Sequence, residues 1–154
     1  MTTFPEPAME FAFEARVSVS DGWHVGRGAD EKLHFTPITG GTVAGPRLNG
    51  VVLPGGGDWS VQRGDTTQLE ARYLLQADDG SVIDVLNRGY YRADASVEQR
   101  ITDGERVSES EYYFRTAPVM QTDAPAHRWL AENQFVGMAR DEDGQVCIRF
   151  FLLR

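Results

Sequence analysis

Cysteine is nearly absent: Cys147 is the single one in 154 residues. One thiol closes no intrachain disulfide and builds no cysteine zinc site, which suits a reducing cytoplasm. Long apolar runs are missing as well, and nothing approaches the roughly 20 residues of a membrane-spanning helix. The first residues, Met1-Thr2-Thr3-Phe4-Pro5-Glu6-Pro7, have neither the basic region nor the apolar stretch of a secretory signal. Basic charge is scarce: 15 Lys and Arg stand against 23 Asp and Glu, a formal net charge of −8. Nucleic acid and anionic membrane surfaces are repelled overall and are not expected partners. The three histidines, His24, His34 and His127, lack metal-ligand spacing, and no phosphate loop, dinucleotide fingerprint or Gly-x-Ser-x-Gly elbow is present. Neither a metal nor an organic cofactor is expected.

What is present is enough apolar sequence, 41%, for the core of one domain over residues 9–154, behind a loose tail at 1–8 that holds two prolines. Phe11, Phe13, Ala15, Val17 and Val19 alternate with Ala12, Glu14, Arg16 and Ser18, the period of a strand with one buried face. Residues 33–44 and 46–53 also read as extended, with Gly40-Gly41 suggesting a bulge. The clearest strand is 69–77. Leu69, Ala71, Tyr73, Leu75 and Ala77 share one face of it; Glu70 and Arg72 lie on the other. Asp79-Gly80 predicts a hairpin to a partner at 81–88. Further strands are predicted at 112–116, 134–139 and 146–153, and short helices at 97–103 and 125–133, the second with Pro125 in its first turn. Many short antiparallel strands with glycine turns predict a mainly β fold, a closed or nearly closed barrel or a sandwich, with one or two short helices.

The glycine triplet Gly55-Gly56-Gly57, followed by Asp58 and Trp59, reads as a loop that presents a charge and a large ring at the mouth of a rigid scaffold. Glu70, Arg72, Asn87, Tyr113 and Arg115 are polar groups on strands. Turned inward they mark a site; turned outward they are a solvated surface. Alternation puts Tyr113 and Arg115 on one face of their strand and Phe114, a core candidate, on the other. A pocket walled by Asp58, Trp59, Arg72 and Arg115 is the expected site, with arginine holding a ligand carboxylate in a bidentate way. Cys147 reads as a buried, inert thiol.

The segments Pro-Ile-Thr-Gly-Gly-Thr-Val-Ala-Gly-Pro-Arg-Leu-Asn-Gly (37–50), Val-Leu-Pro-Gly-Gly-Gly-Asp-Trp (52–59), Glu-Ala-Arg-Tyr (70–73), Asn-Arg-Gly (87–89), Tyr-Tyr-Phe-Arg-Thr-Ala-Pro (112–118) and Trp-Leu-Ala-Glu-Asn-Gln-Phe-Val-Gly (129–137) go further. In order and spacing, from about Met9 to Arg154, they resemble the family of domain of unknown function 3237, also called uncharacterised protein family 0311. The resemblance implies a small antiparallel β-barrel, often a homo-oligomer, with a polar-lined cavity. It implies no reaction. The family's motif residues fall here on Arg47, Asp58, Trp59, Glu70, Arg72, Tyr73, Asn87, Tyr113, Arg115 and Trp129.

These residue types allow a cofactor-independent lyase, isomerase or cyclase acting on a small, partly aromatic or carbonyl-bearing molecule. Asp58 or Glu70 is the candidate base, provided burial raises its pKa. Tyr73 or Tyr113 is the candidate proton donor. Arg47, Arg72 and Arg115 are candidates to hold a carboxylate or enolate, with Trp59, Asn87 and Trp129 as further binding residues. The alternative is a non-catalytic barrel that binds a small apolar ligand.

Overall fold

Period-two alternation carries most of the chain into antiparallel strands, and their pairing closes a ring. The structure, a computed structural model, describes residues 2–154. The strands are β1 (Met9–Val19), β2 (Trp23–His24), β3 (Glu31–Ala44), β4 (Gly50–Val52), β5 (Gly57–Arg63), β6 (Thr66–Ala77), β7 (Val82–Arg92), β8 (Tyr113–Gln121), β9 (Phe135–Glu142) and β10 (Gln145–Leu153). Helix α1 (Ala95–Thr102) lies between β7 and β8, and α2 (Arg128–Glu132), entered through a single-turn helix at Pro125–His127, lies between β8 and β9.

β4 and β5 are two pieces of one strand position, since both pair with β3 on one side and β6 on the other. Counted so, eight strands follow one another round the ring in chain order. β1 closes it by pairing with both β10 and β3. This up-and-down closure leaves the barrel with no free edges. The Asp79-Gly80 hairpin forms as predicted, and β6 and β7 pair from Thr66↔Arg92 to Gln76↔Val82.

Two strand readings are corrected. Only Gly50–Val52 of the predicted 46–53 strand is extended; before it, Asn49 bonds back to Gly45 through both its side-chain oxygen and nitrogen and makes a turn. The triplet is not a free-standing loop ahead of Asp58, because β5 begins at Gly57. Val52 pairs with Leu75 and Asp58 with Ala71, so β4–β5 takes six steps where β6 takes four. The excess is an even number, so strand parity survives the break. Val52 and Asp58 both point inward.

The inside of the barrel divides into two halves. One end is packed solid: Phe13 stacks on Phe150 with centroids 4.6 Å apart, and Leu75, Ile83, Phe135 and the α2 residue Leu130 are fully buried there. The other end, bordered by the β7–β8 connection that holds α1, is hollow.

Candidate functional site

The hollow end is a cavity of about 330 Å³ that opens to solvent. Its walls are apolar, with Leu69, Ala71, Phe114, Val146 and Ile148 among the lining residues. Toward its inner end it becomes polar. Asp58 of β5, Tyr73 of β6, Asn87 of β7 and Thr116 of β8 come from four successive strands of the ring and all face in. Asp58 and Asn87 are both paired with Ala71, so the three form one cross-strand row. The methyl of Ala71 leaves the space between the two polar groups open. Tyr73 comes one inward step further along β6. Thr116 is paired with Gly89 on one side and Gly137 on the other, and a Cβ at Gly137 would lie 2.1 Å from its Oγ1. Small neighbours therefore set the polar groups into the cavity.

Four buried polar atoms here have no hydrogen-bond partner: Asp58 Oδ1, Tyr73 Oη, Asn87 Oδ1 and Thr116 Oγ1. A buried polar group left unpaired costs roughly 1–3 kcal/mol. The fold itself leaves these four atoms, converging on one hollow, without partners. Burial pushes the Asp58 carboxyl up to about 6, with the nearby Glu70 main-chain amide pulling the other way. Burial also raises the Tyr73 phenol, so it stays protonated at neutral pH. The Asn87 side chain opposes that rise without closing a well-formed hydrogen bond, and the Asp58 charge adds to it.

At the mouth, Asp141 of β9 is exposed on its cavity side but crowded by protein behind. Its carboxyl is raised, first by that burial and then by the Glu98 carboxylate of α1. Tyr91 packs edge-on against Phe114, and its phenol is raised by burial and by the nearby Glu98 carboxylate.

The predicted site residues separate into two groups. Asp58, Tyr73 and Asn87 meet in the cavity. The others do not reach it. Trp59 is on the outer face, in a row with Phe35 and Trp23. Glu70 faces Arg88 across the outer surface. Arg72 makes a two-pronged bond to Asp84 there, at 3.3 and 2.9 Å, with 70% of its side chain exposed. Tyr113 is covered on the outside by Arg92, and Arg115 bonds to the Phe114 carbonyl beside it. Arg47 lies over the Trp129 ring, 4.0 Å from its centroid, and neither residue lines the cavity. The expected pocket of Asp58, Trp59, Arg72 and Arg115 is thus not what forms. The inward face of β6 is the apolar one that holds Leu75 and Ala77, and charged residues take the outward face. Sequence reasoning missed Thr116, Tyr91 and Asp141. Thr116 shares the Phe114 face, Tyr91 the Asn87 face and Asp141 the face of Phe135, Gly137 and Ala139, so alternation carried a signal for all three.

Residues 7–153 match the family model described as a protein of unknown function, DUF3237. A UPF0311 protein of Rhodopseudomonas palustris is 34% identical over 150 residues, 96% of each chain. The crystal structure of a conserved protein of unknown function from that organism superposes with a TM-score of 0.89 at 30% identity, covering 99% of this chain and all of the other. A β-barrel-like protein of Acinetobacter baumannii superposes at 0.86 with 29% identity, covering both chains in full. A hydroalkoxylation enzyme of Penicillium herquei is 32% identical over 78 residues, half of this chain and 52% of the enzyme.

Proposed function

This chain belongs to the DUF3237 family, and from that premise we propose that it is a small-molecule acid–base enzyme of the cyclase, isomerase or lyase type. The observation that carries the reading is the set of four unpartnered polar atoms on one apolar cavity, with a near-neutral carboxylic acid among them. A general base works best when its pKa lies near the operating pH. A phenol held neutral beside it is a hydrogen-bond donor to developing negative charge.

Partial similarity to a hydroalkoxylation enzyme favours one reaction within that class, the addition of an alcohol O–H across a C=C bond. Asp58 takes the proton from the substrate hydroxyl. The freed oxygen bonds to one alkene carbon, and the π pair moves to a conjugated carbonyl oxygen that Tyr73 holds by its O–H. The proton on Asp58 then passes to the neighbouring carbon. Atoms and charge balance with no oxidant or reductant, and the reverse direction is a lyase. The apolar walls strengthen both polar contacts.

The test uses a hydroxyphenyl enone that closes to a cyclic ether at constant mass, followed by loss of enone absorbance. The protein is expected to accelerate closure, with Asp58→Asn slowing it by about 10²-fold or more and Tyr73→Phe by about tenfold or more. A folded Asp58→Asn protein that keeps the full rate overturns the acid–base assignment. Enones that bind and are returned unchanged make the barrel a non-catalytic binder.

A further inference from the structure

We infer that the cavity takes its substrate with an uncharged, hydroxyl-bearing end foremost, and that it rejects a carboxylate in that position; this deepens the acid–base reading and rests on it. Asp58 Oδ1 and Asn87 Oδ1 are acceptors, the Asn87 amide nitrogen is a donor, and the Tyr73 and Thr116 hydroxyls both donate and accept, so the set holds one full negative charge and no positive one. A hydroxyl satisfies this set: it donates to Asp58 and accepts from Tyr73. A carboxylate brings only acceptors and a second negative charge.

No Lys, Arg or His among the described residues lines the cavity to neutralise that charge. The mouth does not supply one from the α1 side. Arg100, Arg106, Arg140 and Arg149 are each bound to a carboxylate other than Asp141 or Glu98. Lys32 and His34 share the Thr36 face of β3 but lie farther out, beyond the lining. The walls between mouth and floor, Leu69, Phe114 and Ile148, hold an apolar body, and the hydroxyls of Thr36 and Thr67 in the lining bring no positive charge to an anion that stops short. The substrate class is therefore a neutral, ring-sized apolar molecule with its oxygen function at one end.

Naphthol, naphthoate and methylnaphthalene, substituted at the same ring position, separate the alternatives. Binding is read at neutral pH by calorimetry, with chemical-shift changes at Phe114 and Ile148 locating it. Naphthol is expected to bind in the cavity, with naphthoate about tenfold or more weaker and methylnaphthalene also weaker. In the near-isosteric Asp58→Asn protein the gap between naphthol and naphthoate should narrow at least severalfold, because the opposing charge is gone. Naphthoate binding as tightly as naphthol overturns the inference, as does a gap that Asp58→Asn leaves unchanged. Failure of all three probes to bind also overturns it, since a cavity of this size that admits no naphthalene ring is not entered from solvent. The acid–base reading falls by a different result, undiminished turnover in Asp58→Asn, so the two failures are distinguishable.

Discussion

Asp58 destabilises the fold in the ionisation state that a base requires. Its carboxyl sits at about 6 in the folded barrel against an ordinary 3.8. Below 3.8 it is protonated in both folded and unfolded chains and costs nothing. Between the two values only the folded chain keeps the proton, so stability falls as pH rises. Above about 6 the full penalty, about 3 kcal/mol, is in place. Asp58→Asn is accordingly expected to raise stability at neutral pH by up to about 3 kcal/mol, an advantage that fades below about pH 4. Urea unfolding across that range checks it; a variant no more stable at neutral pH than the native chain would mean that the carboxylate is well solvated. A substitution that stabilises the protein and also stops turnover would mark Asp58 as placed for function. Asp58, Tyr73 and Asn87 were legible as candidates, and they line the cavity because strand alternation, kept in step across the glycine break, turns each of them inward. The arginines were misread because a buried guanidinium and a surface guanidinium look the same in sequence, and only the apolar neighbours Leu75 and Ala77 reveal which face of β6 is inside.

Strands with an apolar inner face were readable, and β5, whose inner face is polar along its whole length, was not. β6 alternates cleanly, and its hairpin with β7 was predicted from Asp79-Gly80. In β5 the residues on the Asp58 face are Ser60 and Gln62, so no hydrophobic period announces a strand. The site itself erased the signal of the element that carries it. Closure of the ring was also unreadable, because it depends on a seam between β1 and β3 that no local pattern specifies. That seam is tight. Gly41 has φ +145, and a Cβ there would lie 2.0 Å from the Arg16 carbonyl oxygen. Gly41→Ala is expected to cost about 3 kcal/mol or more, from backbone strain and forced displacement together. Gly55, in the β4–β5 break, has φ +109 but open space around its missing side chain. Gly55→Ala should cost only the backbone strain, about 1–2 kcal/mol. Chemical denaturation of the two variants gives the order. Equal costs would mean that the β1–β3 seam yields easily and that the barrel is closed less firmly than the contact at Gly41 requires.

Every strand of the ring pairs with its neighbours in chain order, so the architecture depends on closure more than on where the chain is cut. The two ends of the closing pair lie together: Met9 is opposite Leu153, and the Arg154 amide bonds to the Ala8 carbonyl at 2.8 Å. Joining residues 8 and 154 by a short linker and opening the chain at the Asp79-Gly80 turn exchanges one tight connection for another and leaves all strand pairs intact. That turn is on the packed side, beside His127, whose ring bonds to Asp79, and neither residue lines the cavity. The permuted chain is expected to fold with its cavity preserved and to melt within about 10 °C of the native chain, since only about 1 kcal/mol of turn contacts is lost. Deleting residues 145–154 has the opposite consequence. It removes Ile148, Phe150 and Leu152, all buried, at about 2 kcal/mol each, and it leaves β1 and β9 as open edges. A loss of about 6 kcal/mol from a total of about 5–15 leaves little or no folded protein, so the truncated chain should show no cooperative thermal transition. Circular dichroism melts of both chains decide the point. A truncated chain that still unfolds cooperatively would mean that seven strands and the packed end stand without closure, and the cavity would then be an open cleft in solution.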